Sequence, residues 1–253
     1  MKSVRMIRCS LCLWSVLLGF GGCASSQGLS REALQDVLAQ EESRFIDTQK
    51  ATGPSTQPNT PRLGLYLKPT GFVGRQFEWT GGDRDAVLAW AQRLPSSAGG
   101  KNPGFLTLSS LKGLTLTELR STATRYGFDW LLIIDGAAAV DRYNNYKAAL
   151  LYWTILGAYL ADGTHSDALC VLKATLWDVN TGARLFEERA EEQTRSVGPA
   201  ALVDDAQEIS RAKTMSTNLL LERVATRFTA FAGTTSIPDR SSGRIKGPEQ
   251  PQQ

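Results

Sequence analysis

Near the middle of the chain, Phe128 to Val140 (FDWLLIIDGAAAV) holds a continuous apolar stretch. A strand that is apolar on both faces needs a cover on each, so this run predicts a central strand in a sheet flanked by helices. The residues before it supply the neighbours. Leu63, Leu65 and Leu67 alternate with Gly64, Tyr66 and Lys68, the two-residue period of a strand. Asp83 then precedes a helical run in which Val87, Trp90, Ala91 and Leu94 share a face, and Pro95 with Ser96 ends it. A short strand is predicted at Phe105 to Leu108. Thr115 and Glu118 form a capping-box pattern ahead of Leu116, Leu119, Ala123 and Tyr126, and Gly127 terminates that helix. Strand, helix, strand, helix, strand is the order of a largely parallel arrangement with right-handed crossovers.

The second half changes character. Ala168 to Val179 and Arg184 to Thr194 read as strands joined by Asn180-Thr181-Gly182, in which Gly182 can take the positive φ that closes a hairpin. The outer strand is heavily charged from Leu185 to Glu192, which suits an edge that must not pair with other chains. From Pro199 to Phe231 a long helix, broken near Thr217, is expected to turn Leu202, Ala206, Ile209, Leu220, Val224 and Phe228 inward. The fold class expected is α/β: a mixed sheet, strand-helix-strand-helix-strand followed by an antiparallel hairpin, with a long C-terminal helix.

The ends read differently. Residues 1–22 carry Lys2, Arg5 and Arg8 and then an apolar core from Leu11 to Phe20, too short to span a bilayer, as a secretory signal does. Residues 23–61 begin with a helix capped by Ser30, with Leu34, Val37, Leu38 and Phe45 on one face, and close with the Pro-, Thr- and Ser-rich linker Ala51 to Pro61. Residues 233–253 have the composition of a disordered tail. The α/β domain is thus expected over 62–232, about 170 residues, enough for one core of ordinary size.

Leu17-Leu18-Gly19-Phe20-Gly21-Gly22-Cys23 resembles the cleavage and acylation site of bacterial lipoproteins. The resemblance implies that Gly22 is the last residue removed, that the Cys23 thiol takes a diacylglycerol, and that the mature protein is held to the lipid bilayer. With roughly 0.8 kcal/mol gained per buried methylene, three acyl chains make attachment effectively permanent. Ala24 and Ser25, with no Asp in second place, match the sorting pattern for the outer membrane of a double-membraned host, with the domain in the periplasm or at the cell surface. Cleavage also changes the composition. The leader's three basic residues account for the whole net charge of +3, leaving 25 basic against 25 acidic residues and giving no sign of a nucleic-acid partner. Cys9 and Cys12, spaced like half a zinc site, leave with the leader, and Cys170 lies in an apolar run where a buried, inert thiol is expected.

One further resemblance concerns the domain. Ala123-Thr124-Arg125-Tyr126-Gly127-Phe128-Asp129-Trp130-Leu131-Leu132, then Asp135-Gly136, then Leu176-Trp177-Asp178-Val179-Asn180-Thr181-Gly182, resembles a pattern of envelope domains. These are domains similar to the N-terminal domain of the translocation protein TolB and to the curli-secretion-channel lipoproteins. The resemblance covers Leu116 to Thr194, about a third of the chain, and its motifs are structural. Gly127 ends a helix, Asp129 caps the start of a strand, and Asp178 to Gly182 makes the hairpin. Between Asp141 and His165 the chain departs from the pattern with an insertion that includes Tyr146 to Leu160 (YKAALLYWTILGAYL), its most apolar mature segment. Buried packing and a surface that meets a membrane or another subunit are both open for it.

Chemistry is sparse. His165 is the one histidine, and Ser166 and Asp167 beside it do not make a triad without a nucleophile on a strained turn; a turn or surface histidine is the plain reading. No cofactor and no metal site is expected. Asp204-Asp205, Glu187-Glu188 and Glu191-Glu192 read as solvated charges. Gly81-Gly82-Asp83 could offer amides to an anion but lacks the rest of a phosphate loop, so a helix cap is expected. Asp135, late in the buried strand, is the one acid placed where parallel sheets form ligand crevices, although a structural aspartate at the strand end is the plainer reading. The expectation is a non-catalytic, outer-membrane-anchored domain that binds another envelope protein or its own copies. Two other readings stay open: a subunit of an oligomeric secretion channel, and a hydrolase whose pocket would gather Asp135 and His165.

Overall fold

The computed structural model describes residues 26, 28–46, 61–69, 77–95, 103–106, 115–145, 159–160 and 162–235. Along the chain they form α1 (Arg31–Phe45), β1 (Leu63–Leu67), α2 (Gly81–Gln92), β2 (Gly104–Phe105), α3 (Leu116–Arg125), β3 (Trp130–Asn144), β4 (Thr164–Asp178), β5 (Arg184–Gly198) and α4 (Asp205–Thr235). The strands make one mixed sheet in the order β2-β1-β3-β4-β5. β1 runs parallel to β2 and to β3, while β3, β4 and β5 form an antiparallel meander. The leader with Gly22 and Cys23, the linker 51–60, the tail from 236 and most of the apolar segment 146–160 lie outside the described residues.

Local chemistry sets the helix ends. Thr115 and Glu118 make the expected capping box on α3, each side chain accepting from the other's backbone amide. A second box, Thr80 with Asp83, starts α2 two residues earlier than Asp83 suggested, so Gly81 and Gly82 form its first turn. The β4–β5 turn is closed by Gly182 at φ 72°, a conformation that disfavours a Cβ. An added Cβ there would also lie 2.3 Å from Arg120 Nη1, because Arg120 of α3 donates to the turn carbonyls of Val179 and Asn180.

β3 and β4 are each 15 residues long, and the apolar run predicted at 128–140 continues to Asn144 as a strand. Side-chain alternation divides the core in two. Trp130, Leu132, Ile134, Ala138, Cys170, Leu172 and Leu176 join Val87 and Trp90 of α2 and Leu220, Val224 and Phe228 of α4 in the larger core. On the other face, Leu131, Ile133 and Trp177 pack against Leu116, Leu119 and Ala123 of α3. Farther along that face, Leu34 and Leu38 of α1 lie on Ala137, Leu169 and Val171. Each fully buried Leu or Phe contributes about 1.5–3 kcal/mol, and helices on both faces explain why β4 is buried almost throughout.

Three expectations need correction. The last helix starts at Asp205 rather than Pro199, because Asp204 Oδ1 accepts from the amides of Ala206 and Gln207 and so caps it. Leu202 therefore lies in the turn before the helix and is 68% exposed, and Ala206 is exposed as well. Nor does α4 break near Thr217. Thr217 Oγ1 donates to the Lys213 carbonyl one turn back and Ser216 Oγ to the Cys170 carbonyl on β4, so the polar patch is absorbed by the helix and the sheet.

Candidate functional site

Asp135 sits in mid-strand on β3, level with the end of β1, and not at a strand end. Its neighbour Gly136 has Leu172 and Phe77 pressed so close that an added Cβ would lie 2.5 Å from each. Gly136 N donates to Asp135 Oδ1, and Lys68 Nζ, just past β1, donates to Oδ2 at 2.9 Å. Directly opposite Asp135 on β4 is Lys173, whose Nζ meets Glu42 Oε2 of α1 at 2.8 Å. Glu41 Oε2 stands 3.9 Å from Lys68, and Lys68 Nζ lies 5.3 Å from the centre of the Phe45 ring. Glu42 also reaches Arg184 on β5. Two lysines from the sheet thus meet three carboxylates, two of them supplied by one end of α1.

The cluster is nearly closed to water. The Asp135, Lys173 and Lys68 side chains are 7%, 6% and 12% exposed. Burial raises the Asp135 carboxyl above its usual range, with Lys68 pulling it back, and burial together with the Asp135 charge raises the Tyr66 hydroxyl. The free space among Glu42, Phe45, Lys68, Asp135, Lys173 and Trp177 is about 20 Å³. That is room for about one water and not for a substrate. As folded, the arrangement is an ion-pair clasp holding α1 to the sheet.

The other candidate residues are equally committed to packing. His165 is on β4, not in a turn; its ring stacks on Tyr143 with centroids 4.9 Å apart and planes 2° apart. It shares a sheet face with Asp135 but lies eight positions farther along the ladder, about 26 Å away, so no pocket gathers the two. Asp167 is held by Arg195, with Nε to Oδ1 at 2.6 Å and Nη2 to Oδ2 at 2.7 Å, a pairing that raises the guanidinium. Ser166 donates instead to Asp205 Oδ1 on the opposite face. The first turn of α2 has its anion already, since the Asp83 carboxylate accepts from Thr80 N and pairs with Lys213 Nζ at 2.6 Å. Burial opposes that charge, but Lys213 and Thr80 outweigh it and hold Asp83 below the usual carboxylate range.

The adjacent acids are more than solvated charges. Glu187 pairs with Arg184 and Arg189 on one face of β5, and Glu188 lies 3.6 Å from Arg227 of α4 on the other. Glu191 meets Arg31 of α1, while Asp204 and Asp205 serve as cap and strand contact. Cys170 is buried with its thiol pushed up to about 12, which leaves it inert. Sequence reasoning missed Lys68 and Lys173. A lone lysine inside the apolar run of β4 was the available signal, because a buried ammonium requires a partner. Among the described residues no group of three His, Cys, Asp or Glu is placed to hold a metal ion, and no helix is long and apolar enough to cross a membrane.

These features define the class: a mixed α/β domain in which two helices cover each face of a five-stranded sheet. No protein-family model and no curated protein matches the chain. Among solved structures it is similar to the PelC dodecamer from Paraburkholderia phytofirmans, at 11% identity and TM-score 0.33 over 71% of this chain and 94% of that one. It is also similar to a minor lipoprotein from Acinetobacter baumannii, at 11% identity and TM-score 0.32 over 68% and 92% of the two chains. A lipoprotein from Neisseria meningitidis matches at 14% identity and TM-score 0.29 over 67% and 99%. At these identities and scores the likenesses carry no argument about function.

Proposed function

We propose that this chain is a lipoprotein of the bacterial cell envelope, anchored to the outer membrane through acylated Cys23, whose α/β domain binds another envelope protein or its own copies and performs no catalysis. The observation that carries the reading is how the domain spends its reactive side chains. Asp135, Asp83, Asp167 and His165 each stabilise a packing contact, and the space beside Asp135 admits about one water. The sequence resemblance to TolB-type and curli-channel envelope domains supports the same setting.

The test is made in a double-membraned bacterium expressing the full chain. Mass analysis of the purified protein is expected to find a mature N-terminus at Cys23 carrying three acyl chains, and Cys23→Ser to move the protein out of the outer-membrane fraction. Crosslinking in intact envelopes is expected to give a defined adduct with itself or with one envelope protein. A protein that stays monomeric and uncrosslinked there would sink the binding reading, and an unmodified Cys23 would sink the anchor.

A further inference from the structure

The start of the described chain is fastened to one particular end of the sheet. Ser26 Oγ and Gly28 N both donate to Asp141 Oδ2 on β3, the latter at 2.9 Å. From there Leu29 packs with Leu34 and Leu38 onto the sheet, so the path into α1 is fixed. Cys23 is three residues before Ser26, a span of at most about 11 Å. Cys23 is therefore within about 11 Å of Ser26, which touches Asp141, three residues short of the end where β3 finishes at Asn144, β4 begins at Thr164 and β5 finishes at Gly198.

That same end carries most of the large apolar side chains that are exposed among the described residues. Six large apolar side chains are exposed among the described residues, and four of them sit here: Tyr159 (55%), Leu160 (76%), Val197 (51%) and Leu202 (68%). They come from two chain segments. Tyr159 and Leu160 lead into β4, Val197 is registered with His165 near the finish of β5, and Leu202 follows in the turn to α4. Arg142 Nη2 ties that turn to β3 through the Ala200 carbonyl. The other two exposed residues lie elsewhere, Tyr126 at the opposite end of the sheet and Met215 ten residues into α4. Two of the charged groups at this end are paired, Arg142 with Asp205 and Arg195 with Asp167, which lowers the cost of an apolar neighbour; Asp162 and Asp204 are exposed.

We propose that this end of the sheet is a bilayer-docking surface, with Tyr159, Leu160, Val197 and Leu202 set into the lipid interface and the long axis of β3 and β4 standing away from it. The inference rests on the proposed acylation of Cys23 and adds an orientation to it. An exposed apolar cluster within a few residues of a lipid anchor is brought to the interface at high effective concentration, so a weak contact suffices to hold it. Asp162, beside Leu160, stays among headgroups and water in this arrangement, as a carboxylate must.

Hydrogen exchange on vesicles tests this independently of what the cell does to Cys23. The mature full chain, prepared without lipid, is coupled through Cys23 to a maleimide-headgroup lipid in phosphatidylethanolamine–phosphatidylglycerol vesicles and compared with the uncoupled protein. Peptides covering 159–163 and 199–204 are expected to exchange at least about tenfold more slowly when coupled, while those covering 126–129 and 213–217 are unchanged. The double variant Leu160→Asp with Leu202→Asp, both exposed and so without effect on the fold, is expected to abolish the slowing although coupling is complete. Equal exchange at both ends of the coupled protein would overturn the docking surface even if cell-derived protein proves acylated. Slowing in the coupled protein, with cell-derived Cys23 unmodified, would keep the surface and remove the anchor.

Discussion

Lys68 and Asp135 are both buried and depend on each other, but Lys68 has Glu41 3.9 Å away as a second carboxylate. A buried carboxylate without its ammonium is left charged in a poorly hydrated site, and breaking a buried pair in this way costs about 3–5 kcal/mol. Burial raises the Asp135 carboxyl, with Lys68 pulling it back, so the folded protein holds that proton more tightly than the unfolded chain does. The resulting stability is fully present below the unfolded value near pH 4 and is lost as pH rises through the raised folded value. Lys68→Met removes the charge that limits this loss. The variant is therefore expected to be about 3 kcal/mol less stable than the parent at pH 7 and close to it at pH 4, measured by urea unfolding. Equal destabilisation at both pH values would mean that the lysine acts through packing alone. The cluster was only half legible in the sequence. Asp135 stood out as an acid in an apolar run, but its partners come from β1, β4 and α1, separated from it by tens of residues and joined only by strand register. Lys173 gave a local signal and Glu42 gave none, since a glutamate on a helix is ordinary until something buried faces it.

Among the elements, those defined by local chemistry were readable and those defined by docking were not. The strand-period residues of β1, the capping box of α3, the Asn-Thr-Gly turn and the charged edge β5 all follow from residues within one element. The reach of β3 and β4 past 140 and 168 did not show, because their outer halves mix charged and polar residues that the register pairs across strands, such as Asp141 with Asp167 and Arg142 with Ser166. The placement of α1 was invisible for a similar reason. Its apolar stripe was plain, but the surface it covers, Ala137, Leu169 and Val171, belongs to distant strands. That contact joins few side chains and is reinforced by Glu42 with Lys173 and Arg31 with Glu191. Placing a charge in it should free α1 before anything else. Leu38→Asp is expected to raise amide exchange across 31–46 toward that of an open chain, while α4 and the β4 core stay protected. Loss of protection in β4 and α4 as well would show instead that α1 is integral to the folding unit.

At the scale of the whole molecule the longest described elements run side by side, the 15-residue strands β3 and β4 and the helix α4. α4 has 31 residues, about 46 Å of helix, and it spans the sheet from Ser166, where Asp205 touches β4, to Trp130, against which Phe228 and Phe231 pack. Its far end is thus the end opposite Asp141. If the proposed docking end meets the bilayer, neutron reflectometry of the vesicle-coupled chain on a supported bilayer is expected to show a protein layer about 45–50 Å deep. A layer about half as deep would mean that the domain lies on its side.

The clasp beneath α1 then has a mechanical meaning. If Cys23 is acylated as proposed, a pull at the distal end reaches it partly through the contacts that fasten α1 and the residues before it to the sheet, among them Ser26 and Gly28 with Asp141, Arg31 with Glu191 and Glu42 with Lys173. Because the described chain starts beside Asp141 and α1 runs along the sheet from there toward Lys173, tension applied through Cys23 in that arrangement loads these bonds in shear, together instead of one by one. A domain fastened in this way can be tugged by a partner without first surrendering its own N-terminal helix.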